Sequence, residues 1–511
     1  MSIFLEQINR NIVPRWRDFK TTRALGELLD STIHKSVEHI ASTELEELIV
    51  GWELNRTLSF ATDLISGAYV IGQFDLAKDA AEYVLNHEQS SSVARDLARL
   101  ILSDRRYREG IVGSSPASQA VDYWKLIHTF RKRLIEEPYN AIVRVDMARA
   151  YTILGLQEKA ASAMQLAIAL APDNRFVLRS ATRLFLHIGD VNHAHRLLLR
   201  SPATRADPWL LAAEIAVATI SGRSSRFTKA GLQMVSSETI PPLHLSELAG
   251  TLGTQEFLAG GTKKARKLFS KSLVNPTDNS LAQAVWAKQQ DAGLLLKDHL
   301  FETPCSFEAR AWKFYALGEW AEAEEAAIDW YNDQLFSSRA AIHASYVLLI
   351  GRERYKEASE ILKSALICDP HDPTLLNNLA FALGNDGKLD EAMKYFSQIN
   401  RDNLPKALDI VVTATEGLLR FRQGKLEQGR ILYETAIQQA KRLSDMKLLA
   451  LASLNYALEE VAISNSSSDY IVSYACEVSS KIDDPGIAAL KERLKNFQGM
   501  ETYSTTTVEN E

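Results

Sequence analysis

The chain has 511 residues, 46% of them hydrophobic and 24% charged, which gives it a substantial core and excludes wholesale disorder. With 14 prolines and 24 glycines it is poor in turn formers, which excludes a turn-rich β architecture and favours helices. A net charge of −6 over this length excludes a protein that binds nucleic acid with its whole surface.

In chain order, MSIFLEQINRNIVPRWRDFK interrupts its apolar run with charges at once, unlike a secretory leader. Residues 1–50 read as an N-terminal helical cap. Residues 51–138 read as divergent helical pairs. ISGAYVIGQFDLAKDAAEYVL (65–85) makes a hairpin at Gly72 and Ala77, and a helix near 91–103 leads into a long loop at 104–118. The helix QAVDYWKLIHTFRKRLIEEP follows. A regular array is expected over 139–280, an irregular seam with a truncated pair over 281–303, and a second array over 304–443. Capping helices (444–495) and a disordered tail (496–511) complete the chain. The longest apolar run, WLLAAEIAVATI (209–220), is too short to span a bilayer, contains Glu214 and reads as a buried helix.

A fixed period underlies the two arrays. Anchored on Ala392, a small residue recurs at Ala358, Ala323, Ala265, Ala230, Ala194 and Ala160, at steps of 34 to 36 residues except for 58 between Ala265 and Ala323. Gly429 takes the place 37 residues downstream. Four residues after most of these sits a larger side chain: Met164, Leu198, Met234, Phe269, Leu362, Phe396, Tyr433. Five residues before six of them stands a glycine: Gly155, Gly189, Gly260, Gly318, Gly387, Gly424.

The residue types follow from packing. About 34 residues hold two helices of roughly 12 to 15 residues and a tight turn. Where the helices cross only a small residue fits, and the residue four positions on lies on the same face. Glycine before the second helix permits the turn, and Pro138, Pro172 and Pro370 stop helices that have ended.

MARAYTILGLQEKAASAMQLAIALAPDN (147–174) and NNLAFALGNDGKLDEAMKYF (377–396) resemble tetratricopeptide repeats (TPRs), strongly over 140–205 and 304–443. Their first helices carry Ala148 and Tyr151 or Ala380 and Leu383 at the family's spacing. The resemblance implies an all-α fold, an α-solenoid or right-handed superhelix of stacked TPR-like helix hairpins. It also implies a concave groove lined by first helices, which in such proteins usually takes peptides or other proteins.

No motif for chemistry stands out. There is no G-x-x-x-x-G-K-[ST] loop, no H-E-x-x-H and no G-x-S-x-G. His187, His193 and His195 read as exposed helix histidines rather than a metal site. Three cysteines, Cys305, Cys368 and Cys476, lack C-x-x-C spacing and suit a reducing cytosol, with Cys305 and Cys368 as small packing residues. No cofactor or metal is expected, and no enzymatic activity.

In the repeat frame, the groove positions of the second array include Trp312, Tyr315, His343, Val347, Asn377, Phe381, Leu418 and Phe421. Those of the first include Arg149, Arg179 and Arg183. Aromatics and arginines are common anchors of binding patches; the alternative is that the aromatics pack between repeats and the arginines pair with neighbouring acids. Repeat proteins that capture the acidic tails of chaperones resemble one another in a five-residue Lys/Asn/Arg clamp. Here Asn378 matches one clamp position, but His343, Val347, Val411 and Thr415 break the rest, so that client class is not expected. Basic clusters at 105–108, at 131–133 and at Lys263, Lys264, Arg266 and Lys267 read as solvated helix faces, with Lys263, Lys264 and Lys267 the candidate nucleic-acid patch.

The leading expectation is a cytoplasmic, non-enzymatic scaffold or adaptor that binds a partner protein or peptide in its groove, in a hetero-complex or as a homodimer. The second is a regulatory or sensor subunit, responsive to a ligand or nucleic acid, that controls an associated effector enzyme in a bacterial stress or defence complex.

Overall fold

A small residue at each crossing and a turn residue that tolerates positive φ decide how this chain folds. The structure is a computed structural model; it describes residues 10–27, 46–71, 74–87, 89–90, 92–102, 116–237, 239–463 and 468–506. Among the described residues there are helices and no strands. They form TPR-like hairpins in two compact units, one of Arg10–Thr152 and Leu156–Ser306 and one that takes in Phe307 onward.

The first unit begins with an extended stretch and one short helix, α1 (Phe19–Ala24). Next come α2 (Leu58–Ile71), α3 (Lys78–Asn86), α4 (Ser92–Leu102) and α5 (Pro116–Glu136). The regular pairs are α6 (Ala141–Ile153) with α7 (Gln157–Leu170) and α8 (Arg175–His187) with α9 (Val191–Arg200). After them come α10 (Pro208–Ile220) with α11 (Thr228–Ser236), and α12 (Pro242–Leu258) with α13 (Thr262–Ser272). A last first-position helix, α14 (Asp278–Gln289), has no helical partner; residues 292–297 are irregular and a 3-10 turn, Asp298–Glu302, follows.

The second unit pairs α15 (Phe307–Leu317) with α16 (Trp320–Asp333), and α17 (Ser338–Tyr346) with α18 (Tyr355–Cys368). It continues with α19 (Pro373–Asn385) and α20 (Leu389–Phe396), then α21 (Lys406–Arg422) and α22 (Leu426–Leu443). The pair α23 (Met446–Ala462) and α24 (Ser468–Ser479) is followed by a single helix, α25 (Pro485–Thr506). First helices pack on one another from α8 through α10 and α12 to α14 in the first unit, and from α17 through α19 and α21 to α23 in the second.

The repeat frame holds in detail. Ala160, Ala194, Ala265, Ala323, Ala358 and Ala392 are fully buried at their crossings. Gly189 has φ 81° and Gly387 φ 76°, with nothing within 4 Å of where a Cβ would sit. Conformation, not space, requires glycine there. Gly429 is glycine for the opposite reason, because a Cβ would lie 2.4 Å from the ring of Phe421.

Four expectations change. The crossing in α11 belongs to Gly231, buried against Leu248, Ile215 and Leu252, and not to Ala230, which is only half-buried; Val235 rather than Met234 is then the buried residue four positions on. The serine-rich turn at 221–227 shifts the frame by one residue. Residues 10–18 carry no helix, in place of the expected helical cap, because Pro14 donates no N–H and its predecessor is disfavoured at helical angles. The tail expected to be disordered from 496 is helical through Thr506. Gly72 and most of the 104–118 loop lie outside the described residues.

Candidate binding faces

In the first unit the face formed by α6, α8, α12 and α14 is occupied by the chain's own residues 10–27. Side chains of the array hold the main chain of this strap. Gln283 Nε2 donates to the carbonyl of Arg10 (2.7 Å), Asn279 Nδ2 to that of Val13 (2.8 Å) and Arg149 Nε to that of Trp16 (3.1 Å). Arg175 Nη1 donates to the Glu27 carbonyl (3.0 Å). Four main-chain oxygens are thus read by four side chains on three helices.

The strap's side chains meet a matching set. Arg10 donates to Gln283 Oε1 (2.6 Å) and Asn279 Oδ1 (3.0 Å). Asp278, 4% exposed, accepts from both Arg15 Nε (3.0 Å) and Arg17 Nη2 (2.8 Å). Burial pushes the Asp278 carboxyl up, but the two guanidiniums outweigh it and hold it below the usual range. Trp16 is fully buried, and the Ile12 side chain ends beside Gly250, where a Cβ would lie 2.7 Å from its Cδ1. The Phe19 N–H donates to Asp146 Oδ1 (3.1 Å), and the Phe19 ring meets Phe176 edge-on at 5.4 Å.

Of the arginines expected to line a groove, Arg149 grips the strap, and Arg179 pairs with Glu247 (2.8 Å) beneath it while stacking over Trp209 (4.6 Å). Glu27 reaches both Arg179 (3.7 Å) and Arg17 (3.8 Å), and burial still pushes its carboxyl up to about 7. Arg183 is half-buried on α8; burial first and then its charge bring the His187 imidazole down to about 4. The face therefore offers the strap carboxylate and amide groups more than free guanidiniums.

In the second unit the first-helix face is crossed by α25, which packs on α15, α23 and the turn after α17. Asp484 receives the Tyr315 hydroxyl (3.1 Å), pairs with Lys447 (2.8 Å) and caps α25 through the Ile487 N–H (3.0 Å). Arg493 donates to the Ile350 carbonyl (2.9 Å) and pairs with Glu353 (3.0 Å).

The groove candidates of this unit are all buried: Trp312, Tyr315, His343, Asn377, Phe381 and Phe421. Trp312 meets His343 edge-on at 4.6 Å and Trp330 lies 5.6 Å from the same imidazole, whose charged form burial suppresses to about 3. Asn377 donates to the neighbouring Asn378 (3.1 Å), and Phe421 packs against Tyr433 and Tyr456. Tyr315 meets the start of α25, with its hydroxyl beside Asp484 and Gly486. Lys263, Lys264 and Lys267 are exposed on α13, a second-position helix, and Lys264 pairs with Glu256.

The three histidines depart from an exposed reading. His193 stacks on Phe185 at 3.9 Å, His187 is half-buried, and His195 is buried 3.0 Å from Glu214. Ser225 donates to that same carboxylate, so His195 is not placed as a base for the serine. Burial pushes the Cys368 thiol up to about 12, a poor nucleophile. Among the described residues no three His, Cys, Asp or Glu side chains are placed to hold a metal ion, and no helix is long and apolar enough to cross a membrane.

The residues that grip the strap, Asp278, Asn279, Gln283 and Gly250, were not singled out by spacing. One signal was present. TDNSLAQAVWAKQ carries polar residues all round, yet residues 278–287 are buried throughout, so their polar groups need internal partners.

No family model matches the chain, and neither does any curated protein. Solved structures it is similar to include a tetratricopeptide repeat protein from Parabacteroides merdae, at 17% identity over 54% of this chain and 97% of that one, with a TM-score of 0.25. Yeast Tom70 is similar at 13% identity over 89% of this chain and 99% of that one, with a TM-score of 0.30. A chain of the APC/C hetero-tetramer Cut9–Hcn1 is similar at 12% identity over 93% of this chain and 99% of that one, with a TM-score of 0.32. At these values the TPR-like architecture rests on the hairpins themselves.

Proposed function

We propose that the chain is a non-enzymatic interaction scaffold, an adaptor within a cytosolic complex, that binds a protein or peptide segment on its first-helix faces. The observation that carries this reading is the strap: four array side chains already hold the main chain of an extended segment by its carbonyl oxygens. Such contacts read peptide geometry and leave side-chain pockets to supply specificity. Three free thiols suit a reducing compartment. A regulatory subunit is the second reading, favoured because the chain's own segments cover both faces. The exposed Lys263, Lys264 and Lys267 would serve a nucleic-acid contact only as a local, salt-sensitive patch.

The test places a photo-crosslinking residue at Arg183, on the first-helix face, and in a second chain at Lys267, on the opposite helix layer. A stoichiometric adduct with another protein from Arg183 alone is the expected result. Equal adducts from both positions, or none from Arg183, would overturn the reading.

A further inference from the structure

We infer that the first-helix face of the first unit is a receptor for extended, arginine-bearing segments, and that residues 10–17 are its resident ligand in cis. The occupant it is built for is a partner segment of the same chemistry: an apolar residue, then two arginines flanking a large aromatic. This deepens the scaffold reading and rests on it.

Three independent features carry the assignment. The first is charge. Asp278 is almost wholly buried, is reached by two guanidiniums from the strap, and stands on the only helix of this unit's regular array that lacks a helical partner. A buried carboxylate is tolerated when cations satisfy it, and both of these cations arrive from the segment. The second is shape. Gly250 lies inside α12, where glycine weakens a helix, and its missing Cβ is the space that Ile12 fills. Ser272, small and fully buried, borders the same space. The third is the grip. Amide and guanidinium side chains hold carbonyls of Arg10, Val13 and Trp16, contacts any extended segment could make. The strap itself has no helix or strand from 10 to 17, and the Val13 N–H bond to the Asn11 carbonyl (2.8 Å) is a local turn that a competing segment could reproduce.

A segment held in cis competes at high effective concentration with anything outside. The wild-type face is therefore closed until a trans segment carrying the same arginine pair exchanges with residues 10–17, or the strap is weakened.

The probe is a fluorescent peptide of residues 10–27, added to the full chain. Wild-type protein and the Arg15→Ala/Arg17→Ala variant, whose own strap is weakened, are titrated by anisotropy. The expected result is saturable binding to the variant at least tenfold tighter than to wild type. It should fall at least tenfold again when the peptide carries Arg15→Ala and Arg17→Ala, or when the receptor also carries Asp278→Asn. No binding to the folded variant, or binding indifferent to the peptide's arginines, overturns the inference. Should the variant fail to fold, hydrogen exchange on the wild-type chain decides. Amides of 10–19 exchanging at least tenfold faster than those of α12 and α14 mark a separable ligand, and exchange in step with those helices marks an integral part of the core and overturns it. If the peptide fails while the Arg183 crosslink still captures a protein, only the arginine-reading inference falls; if the crosslink captures nothing, the scaffold reading falls with it.

Discussion

Asp484→Ala should loosen α25 from the first-helix face of the second unit without unfolding the array. Three interactions converge on this carboxylate: the cap on α25 at 3.0 Å, the Tyr315 hydroxyl at 3.1 Å and the Lys447 ammonium at 2.8 Å. A lost cap costs about 1 kcal/mol. Hydrogen bonds to a charged group contribute about 1.5–3 kcal/mol, discounted here because Lys447 is partly exposed. The sum is about 3 kcal/mol, or about a hundredfold in a local opening constant at 1.4 kcal/mol per decade. Ile487, Leu490 and Leu494 are fully buried, and each contributes about 1.5–3 kcal/mol, so the helix stays docked in most molecules. The assay is hydrogen exchange on amides of residues 487–496. In Asp484→Ala they should exchange about a hundredfold faster while α19 and α21 keep their rates. Asp484→Asn retains a cap and an acceptor for Tyr315 and should fall between. An acceleration below threefold, or one shared equally by α19 and α21, would refute the idea that Asp484 is the latch of this helix.

Gly351→Ala should destabilise the second unit by about 1–3 kcal/mol, read as a lower thermal midpoint, since its Cβ would lie 2.0 Å from the Trp320 ring. Trp312→Ala and Phe381→Ala should each cost about 3–5 kcal/mol in denaturant unfolding, as core truncations do, rather than behave as surface probes. Strap protection should fall as pH rises from about 5 to about 8. Burial raises Glu27, which faces Arg179, Arg17, Glu247 and Asp278, and Asp146, which faces Asp18, Arg149 and Arg133, each to about 7. The folded state thus holds protons that the unfolded state has already released, and loses that advantage through this window. Hydrogen exchange of residues 19–27, corrected for intrinsic rates, measures it, and Glu27→Gln should flatten much of the dependence. Lys263→Glu with Lys264→Glu and Lys267→Glu should leave stability within about 0.5 kcal/mol per site by urea unfolding.

The repeat was legible because its determinants are local. Ala392 and Gly387 act within one hairpin, and their spacing alone reports a crossing and a left-handed turn. The slip to Gly231 was less visible, because Ala230 is equally small and only the longer turn before α11 displaces it. First-helix positions were readable as a row, but not whether they face a partner, their neighbours or the chain itself. Trp312 and His343 face each other, while Arg149 does face the groove and finds Trp16 there. The strap was illegible for a physical reason: Arg10 meets Gln283 across 273 residues, and no periodic pattern encodes a single contact at that separation.

That separation bears on the order of events as the chain is made. Hairpins that touch only their sequence neighbours can close as soon as each is synthesised, and such local contacts form fast. Residues 10–17 are made before the array, and Asp278, Asn279 and Gln283, which hold their arginines, come more than 260 residues later. Until α14 emerges the segment has only the grips of α6 and α8, at Trp16, Phe19 and Glu27, and the acceptors of its arginines are missing. At 5–20 residues per second this interval lasts on the order of ten seconds or more. On the proposed reading, a partner present during translation would meet the face before the strap is fully seated, so loading at the ribosome and loading of the finished protein would be different reactions with different competitors.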